Sequence, residues 1–248
     1  MPAAVPAGLP AALRAHLWAF PPACHACGRL LPPPGPVAPR GYPYLCGACR
    51  DALPWCEDGS PAAPPPSVER LWACCRYAEP VRGWVQRLKY GRNDGLVRLL
   101  ARLLHEAPFG AAPLRDAPWV VPVPLHPWRL WQRGFNQSLL LAHAWLRAAA
   151  APGTADSQPP ARLESRLLVR HRYTRPQVRV TGAQRRENVA GAFSLHRRLG
   201  PGPAPLEGRA VLLLDDVTTT GATLSACAQA LRAAGAARVE AVVIAAAV

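Results

Sequence analysis

The stretch from Arg209 to Leu224 constrains the fold more than any other part of the chain. Val211, Leu212, Leu213 and Leu214 form an apolar run without alternation, the pattern of a strand buried on both faces of a parallel sheet. The run ends on two adjacent carboxylates, Asp215 and Asp216. A turn rich in hydroxyls follows, Thr218-Thr219-Thr220-Gly221-Ala222-Thr223. Apolar residues at helical spacing come next, Leu224, Cys227, Ala228 and Leu231, with Gly235 placed to stop the helix. Strand, acidic pair, loop and helix together put backbone N–H groups at a helix N-terminus. Such a terminus carries roughly half a positive charge and suits a phosphate. Carboxylates repel phosphate, so the acidic pair implies a ligand that also offers hydroxyls or a metal ion, as a sugar phosphate does.

Two other readings share these residues. One is an ordinary α/β turn, with a threonine capping the helix and the aspartates in solvent. The other is an acidic pocket for Mg²⁺, which the Thr/Gly loop disfavours.

A second constraint lies near the start. Cys24-His-Ala-Cys27 is followed, eighteen residues on, by Cys46-Gly-Ala-Cys49. Two Cys-x-x-Cys knuckles at this separation fit a closed, tetrahedral four-cysteine zinc site of structural type. A disulfide pairing is the alternative, and Cys56 is a possible substitute ligand. Gly28 and Gly47 are expected to make the tight turns. The prolines from Pro32 to Pro39 leave the intervening ribbon little core, so a metal must supply its stability, on the order of 10 kcal/mol or more.

The remaining chain reads as an α/β domain. With 248 residues, it is long enough for one good core plus a small module. Leu71–Tyr77 and Trp119–Leu125 are expected strands. Pro80–Tyr90, Leu96–His105 and Ser138–Ala150 are expected helices, the last presenting Leu139, Leu140, Ala142, His143 and Leu146. Leu167–Arg170 and Arg238–Val248 are further strands, and residues 9–20 suggest a short amphipathic helix. The reading divides the chain into an N-terminal helix and ribbon over 1–60, a proline-rich linker over 61–69, and a domain over 70–248.

The net charge of +14 points to anionic partners, although an arginine-rich, alanine- and proline-rich chain also reflects base composition. Lys89 is the only lysine, and its default role is a favourable cation at a helix C-terminus. Between 161 and 209 there are eleven arginines against three glutamates. A polar segment of that length, carrying Gln177, Arg185, Arg186 and Asn188, reads as a lid over an anionic substrate or as a solvated basic face. Arg129 and Arg133, between a strand and a helix, form a natural second anion site. No apolar run approaches the ~20 residues a membrane span needs, and no signal peptide is evident, so a cytoplasmic protein with reduced cysteines is expected.

The stretch around Asp215 resembles the phosphoribosyl-diphosphate (PRPP) signature of type I phosphoribosyltransferases. Taken with the two cysteine knuckles, Leu88-Lys-Tyr90, Val121-Pro-Val-Pro-Leu125, Arg133-Gly-Phe-Asn-Gln137, Thr174-Arg-Pro-Gln177, Arg185-Arg-Glu-Asn188 and Gly191-Ala-Phe193, the chain resembles the ComF family along nearly its whole length. The resemblance implies an N-terminal zinc ribbon and a type I phosphoribosyltransferase-like parallel sheet flanked by helices. It implies that Asp215 and Asp216 contact ribose hydroxyls and that the loop of Thr218, Thr219, Thr220, Gly221, Ala222 and Thr223 holds the 5′-phosphate of Mg-PRPP, and Arg129 is a further candidate for binding PRPP. Arg133, Arg185 and Arg186 would stabilise the leaving diphosphate. It also implies a link to DNA uptake in competent bacteria, with single-stranded DNA and a helicase-type protein as partners. The alternative is a non-catalytic adaptor that grips single-stranded DNA, its bases stacking on tryptophans such as Trp55, Trp72 or Trp84.

Overall fold

The architecture comes from a computed structural model that describes residues 23–31, 45–57, 59, 63–91, 93–150, 161–172, 189, 191–196 and 206–247. The expected N-terminal helix over 9–20, Gln177, Arg185, Arg186 and Asn188 lie outside them. The chain forms two compact units, Met1–Leu53 and Pro54–Val248.

In the first unit, a turn at Cys24–Gly28 and the short helix α1 (Gly47–Asp51) each begin at a cysteine pair. Gly28 adopts φ 72°, which a side chain would strain. Gly47 makes no such turn. It opens α1, with Cys46 as the extended N-cap residue.

The second unit begins with β1 (Arg70–Arg76), α2 (Val81–Tyr90), α3 (Asp94–Glu106), α4 (Ala112–Asp116) and β2 (Trp119–Pro122). It continues through α5 (Pro127–Arg133), α6 (Gln137–Ala149), β3 (Arg162–Leu163), β4 (Leu168–Arg170) and β5 (Phe193–Leu195). It ends with β6 (Ala210–Thr218), α7 (Ala222–Ala233) and β7 (Arg238–Ala246). Five strands form a parallel sheet in the order β1-β7-β6-β2-β3, and β4 pairs with β5 in a separate antiparallel ribbon. The apolar run of β6 is buried, as its lack of alternation requires. Val211 and Leu213 pack with Ala228 and Leu231 of α7 and Phe193 of β5. The other face of the sheet is covered by α6, which packs against α3. Leu96, Leu99, Leu100, Leu103 and Leu104 form the buried face of α3, and Asn93 caps that helix by accepting from Leu96 N–H.

Two further expectations change. The buried face of α6 is Gln137, Ser138, Leu141, Ala142 and Trp145, whereas His143 is exposed. The helix is rotated from the apolar count because its two first residues are polar and face inward. Residues 63–69, expected as linker, pack against the sheet domain. Pro65 and Val68 are buried, Val68 N–H donates to Pro65, Glu69 N–H donates to Val239 and Glu69 pairs with Arg232. Among the described residues, no helix is long and apolar enough to cross a membrane.

Candidate functional site

Open α/β sheets bind ligands at a site beyond the C-terminal ends of their parallel strands. Its position follows from where pairing stops. β2 follows β6 as far as Pro122 opposite Leu214, with Val123 N–H donating to Leu214, and then leaves the sheet. β6 runs on to Thr218 beside β7 alone. Asp215 and Asp216 therefore lie within the strand, not at its end as the apolar run suggests, but on a section whose β2 side is open. The N-terminus of α6 fills that side.

The segment Arg133–Ser138 delivers it. Gly134, at φ 74°, ends α5 in the left-handed conformation. Asn136 then caps α6 by accepting from Ser138 N–H, and its amide donates to the Val123 carbonyl, fixing the helix start to the strand. The result presents two side chains to the acidic pair. Ser138 Oγ donates to Asp215 Oδ1 at 2.9 Å, and Gln137 Nε2 approaches Asp216 Oδ2 at 3.4 Å. Arg133 donates to Gln137 Oε1 at 3.2 Å.

Lys89 completes the cluster from the last turn of α2, with Nζ 3.0 Å from Asp216 Oδ2. It sits at a helix C-terminus as expected, but its partner is the carboxylate rather than the helix dipole alone. Burial pushes the Asp215 carboxyl up to about 7, and the neighbouring Asp216 charge adds to the rise. The Asp216 N–H, Lys89 and Ser138 work against it. Arg133 is lowered by burial, opposed by Asp216, and lowered further by Arg129. Arg170 of β4 is buried beside Phe193, with its guanidinium carbon 5.2 Å from the ring centroid. It lies within electrostatic reach of Arg129 and Asp215.

The phosphate-type loop is shorter than its sequence. Thr218 is the buried last residue of β6, pairing with Ala246, and Ala222 is the buried first residue of α7. Thr219, Thr220 and Gly221 form the connection, and Thr223 stays partly accessible in the first turn. Gly221 is the N-cap at φ 69°, with no side-chain cap, so the first N–H groups of a twelve-residue helix lack intrahelical partners. A Cβ at Gly221 would stand 2.5 Å from Pro65 Cβ, so the proline strap lies against this turn.

The structure thus brings Asp215, Asp216 and Arg133 together and adds Lys89, Gln137 and Ser138, to which sequence reasoning gave no site role. Lys89 carried a signal, being the one lysine in a chain that otherwise uses arginine. Ser138 and Gln137 carried a weaker one, two polar residues heading an apolar helix. The tryptophans named for base stacking do not suit it. Trp72 and Trp84 are buried, Trp72 donating to Glu240 at 2.8 Å, and Trp55 is partly buried. Among the described tryptophans, the exposed pair is Trp128 and Trp131 on α5, at 49% and 75%, with ring centroids 5.1 Å apart.

In the first unit the sulfurs of Cys24, Cys27, Cys46 and Cys49 lie within 4.8 Å of one another. A tetrahedral Zn–S shell at ~2.3 Å implies sulfur separations of about 3.8 Å, and Cys27 and Cys46 stand 3.9 Å apart. Burial raises the Cys24 thiol, but backbone N–H groups of Cys27, Cys46 and Ala26 bring it down to about 6. Cys49 is pushed up to about 12, chiefly by the side chains of Cys46 and Cys27. Four thiols this close cannot all lose their protons without a cation among them, and an all-sulfur tetrahedral set fits zinc.

A parallel sheet with an acidic pair and Thr/Gly turn before a helix defines a phosphoribosyltransferase-like protein, and residues 171–247 match the phosphoribosyl transferase domain family. The chain belongs to the ComF family. It is 31% identical over 201 residues to Competence protein F of Haemophilus influenzae, covering 79% of this chain and 81% of that protein. It is 34% identical over 212 residues to DNA utilization protein YhgH of Salmonella typhi, covering 82% and 78%. The YhgH protein of Escherichia coli K12 is 31% identical over 229 residues, covering 88% and 87%.

Proposed function

We propose that the protein binds Mg-PRPP at the end of β6 and transfers ribose 5-phosphate to a nitrogen nucleophile. The observation that carries this reading is the acidic pair, held from α2 and α6, beside the uncapped N-terminus of α7. Asp215 and Asp216 accept hydrogen bonds from the ribose hydroxyls. Thr219, Thr220, Gly221 and Thr223 hold the 5′-phosphate, with backbone N–H groups and the helix dipole supplying the positive potential. Magnesium would come with the substrate, held beside Asp215 and Asp216, and would supply positive charge against the diphosphate. The nitrogen forms a bond to C1′ as the C1′–O bond breaks and its electron pair leaves with diphosphate. Arg133 and Arg129 offset the charge growing on that group, and Lys89 stands close enough to join them when ligand hydroxyls take its place on Asp216. Arg185 and Arg186, which lie outside the described residues, are proposed to act on the same leaving group. Labelled PRPP incubated with a panel of bases and nucleotides, with and without single-stranded DNA, tests the reaction. Label in a new ribosylated product supports it, and intact PRPP throughout removes the catalytic claim.

The four cysteines of the first unit hold a structural zinc ion. A second reading, for the surface rather than the acidic pair, is single-stranded DNA binding in the cytoplasm, alongside a helicase-type partner. It is favoured by the stacked, exposed Trp128 and Trp131 on a helix that also carries Arg129 and Arg133. The names of the relatives, competence and DNA utilization, agree with it. Oligonucleotide affinity that falls steeply with salt and with Trp131→Ala supports this reading, and affinity indifferent to both removes it.

A further inference from the structure

Gln137 is 3% exposed, and both ends of its amide are engaged by charged groups. Its Oε1 accepts from Arg133 at 3.2 Å, and its Nε2 points to Asp216 Oδ2 at 3.4 Å. A cation on one side and a carboxylate on the other fix which way the amide faces, because the reversed orientation would set N–H against guanidinium and oxygen against oxygen. The two contacts differ in quality. The arginine contact has ordinary length, while the aspartate contact is long and has room to shorten. Lys89 shares the same Asp216 oxygen. The helix start that carries Gln137 is itself pinned by Asn136 to the Asp215 hydrogen-bond partner Ser138 and to Val123. The amide is therefore a short, oriented bridge between the arginine face of α5 and the carboxylates of β6.

We infer that Gln137 is a positioning residue that couples the diphosphate half of the site to the ribose half. This rests on the PRPP reading above. An anion that orders Arg133 also orders the Gln137 amide, and the amide holds Asp216 in the orientation that receives sugar hydroxyls. Filling one half then makes the other cheaper to fill, which is a coupling between two ligands and reciprocal by necessity.

The test uses the full chain and two separate probes, ribose 5-phosphate and magnesium diphosphate. Each is titrated calorimetrically alone and then in the presence of the other. In the wild type, saturating magnesium diphosphate tightens ribose 5-phosphate by about fivefold or more, at the lower end of usual coupling factors. Gln137→Leu, close in volume, brings the factor near one while both probes still bind. Gln137→Glu keeps the acceptor for Arg133 but sets a second carboxylate against Asp216. It abolishes the coupling and weakens ribose 5-phosphate more than diphosphate. Thermal melts of both variants separate this from misfolding, since a variant that binds diphosphate like wild type has kept its fold. A wild-type factor of one, or an unchanged factor in both variants, overturns the role of Gln137 and leaves PRPP binding standing. Failure of the wild type to bind either probe overturns the PRPP reading, and this inference with it.

Discussion

At the scale of single residues, the site is a set of charges that stabilise one another. Asp216 is buried and receives Lys89 Nζ at 3.0 Å, so removing the cation leaves a poorly compensated carboxylate. Lys89→Met is expected to cost about 1–3 kcal/mol of stability, the usual worth of a hydrogen bond to a charged group, read as a lower urea midpoint with unchanged slope. A midpoint equal to wild type would mean that the pair contributes nothing.

Asp215 gives a pH dependence. Its carboxyl is raised to about 7 by burial and by Asp216, so the folded protein keeps a proton that the unfolded chain loses near ~4. Between those values stability falls as pH rises, and the loss is complete above the folded value. Asp215→Asn removes this dependence. Its melting temperature should exceed that of wild type by a few degrees at about pH 8, and the gain should vanish by about pH 4. A constant difference across the range would contradict the shift. Neither Lys89 nor Ser138 could be assigned to the acidic pair from sequence, because the contacts join residues 127 and 77 positions apart. Only the folded sheet brings α2 and α6 to the same strand.

At the scale of elements, the sequence was most legible where pattern and covalent geometry agree. The apolar run of β6, the leucine face of α3 and the stop at Gly235 all follow from periodicity and glycine chemistry, and Gly235 takes φ 94°. Legibility failed where tertiary contacts override pattern. The first two inward residues of α6 are polar, so counting apolar positions rotated its face. Carboxylates after an apolar run look like the end of a strand, yet pairing with β7 continues to Thr218. The proline strap looked like linker because proline stretches usually are, and nothing in the sequence shows that Pro65 meets the turn before α7. That contact sharpens one expectation. Gly221→Ala adds a Cβ in the left-handed region, costing about 1–2 kcal/mol, and places it against Pro65. The variant should lose stability beyond that strain alone. Combining it with Pro65→Gly should recover part of the excess in a double-mutant cycle. Purely additive effects would show that the strap does not bear on the turn.

At the scale of the whole molecule, two compact units rely on different sources of stability. The sheet domain buries its own core, with five strands, α3, α6 and α7. The cysteine unit buries only Leu31, Leu45 and Leu53 among its described aliphatic residues, and it has four sulfurs within 4.8 Å. Metal analysis should find one zinc per chain, and Cys49→Ser should abolish it. A strong chelator should remove one thermal transition and leave that of the sheet domain in place. A metal-free protein with the same melting profile as the holoprotein would contradict the assignment. The basic character of the whole, +14, is concentrated between 161 and 209, much of it outside the described residues. The sequence announced that charge clearly, but not what it faces.

The claim on which the rest depends is that the acidic pair and the turn before α7 hold PRPP. Calorimetric titration of Mg-PRPP into the full chain and into the Asp215→Asn/Asp216→Asn double variant tests it most directly. The account predicts saturable, magnesium-dependent binding at one site in the wild type. It predicts affinity about tenfold or more weaker in the double variant, as expected when hydrogen bonds to charged groups are lost. Equal affinity in the two proteins, or no binding to the wild type, would contradict it.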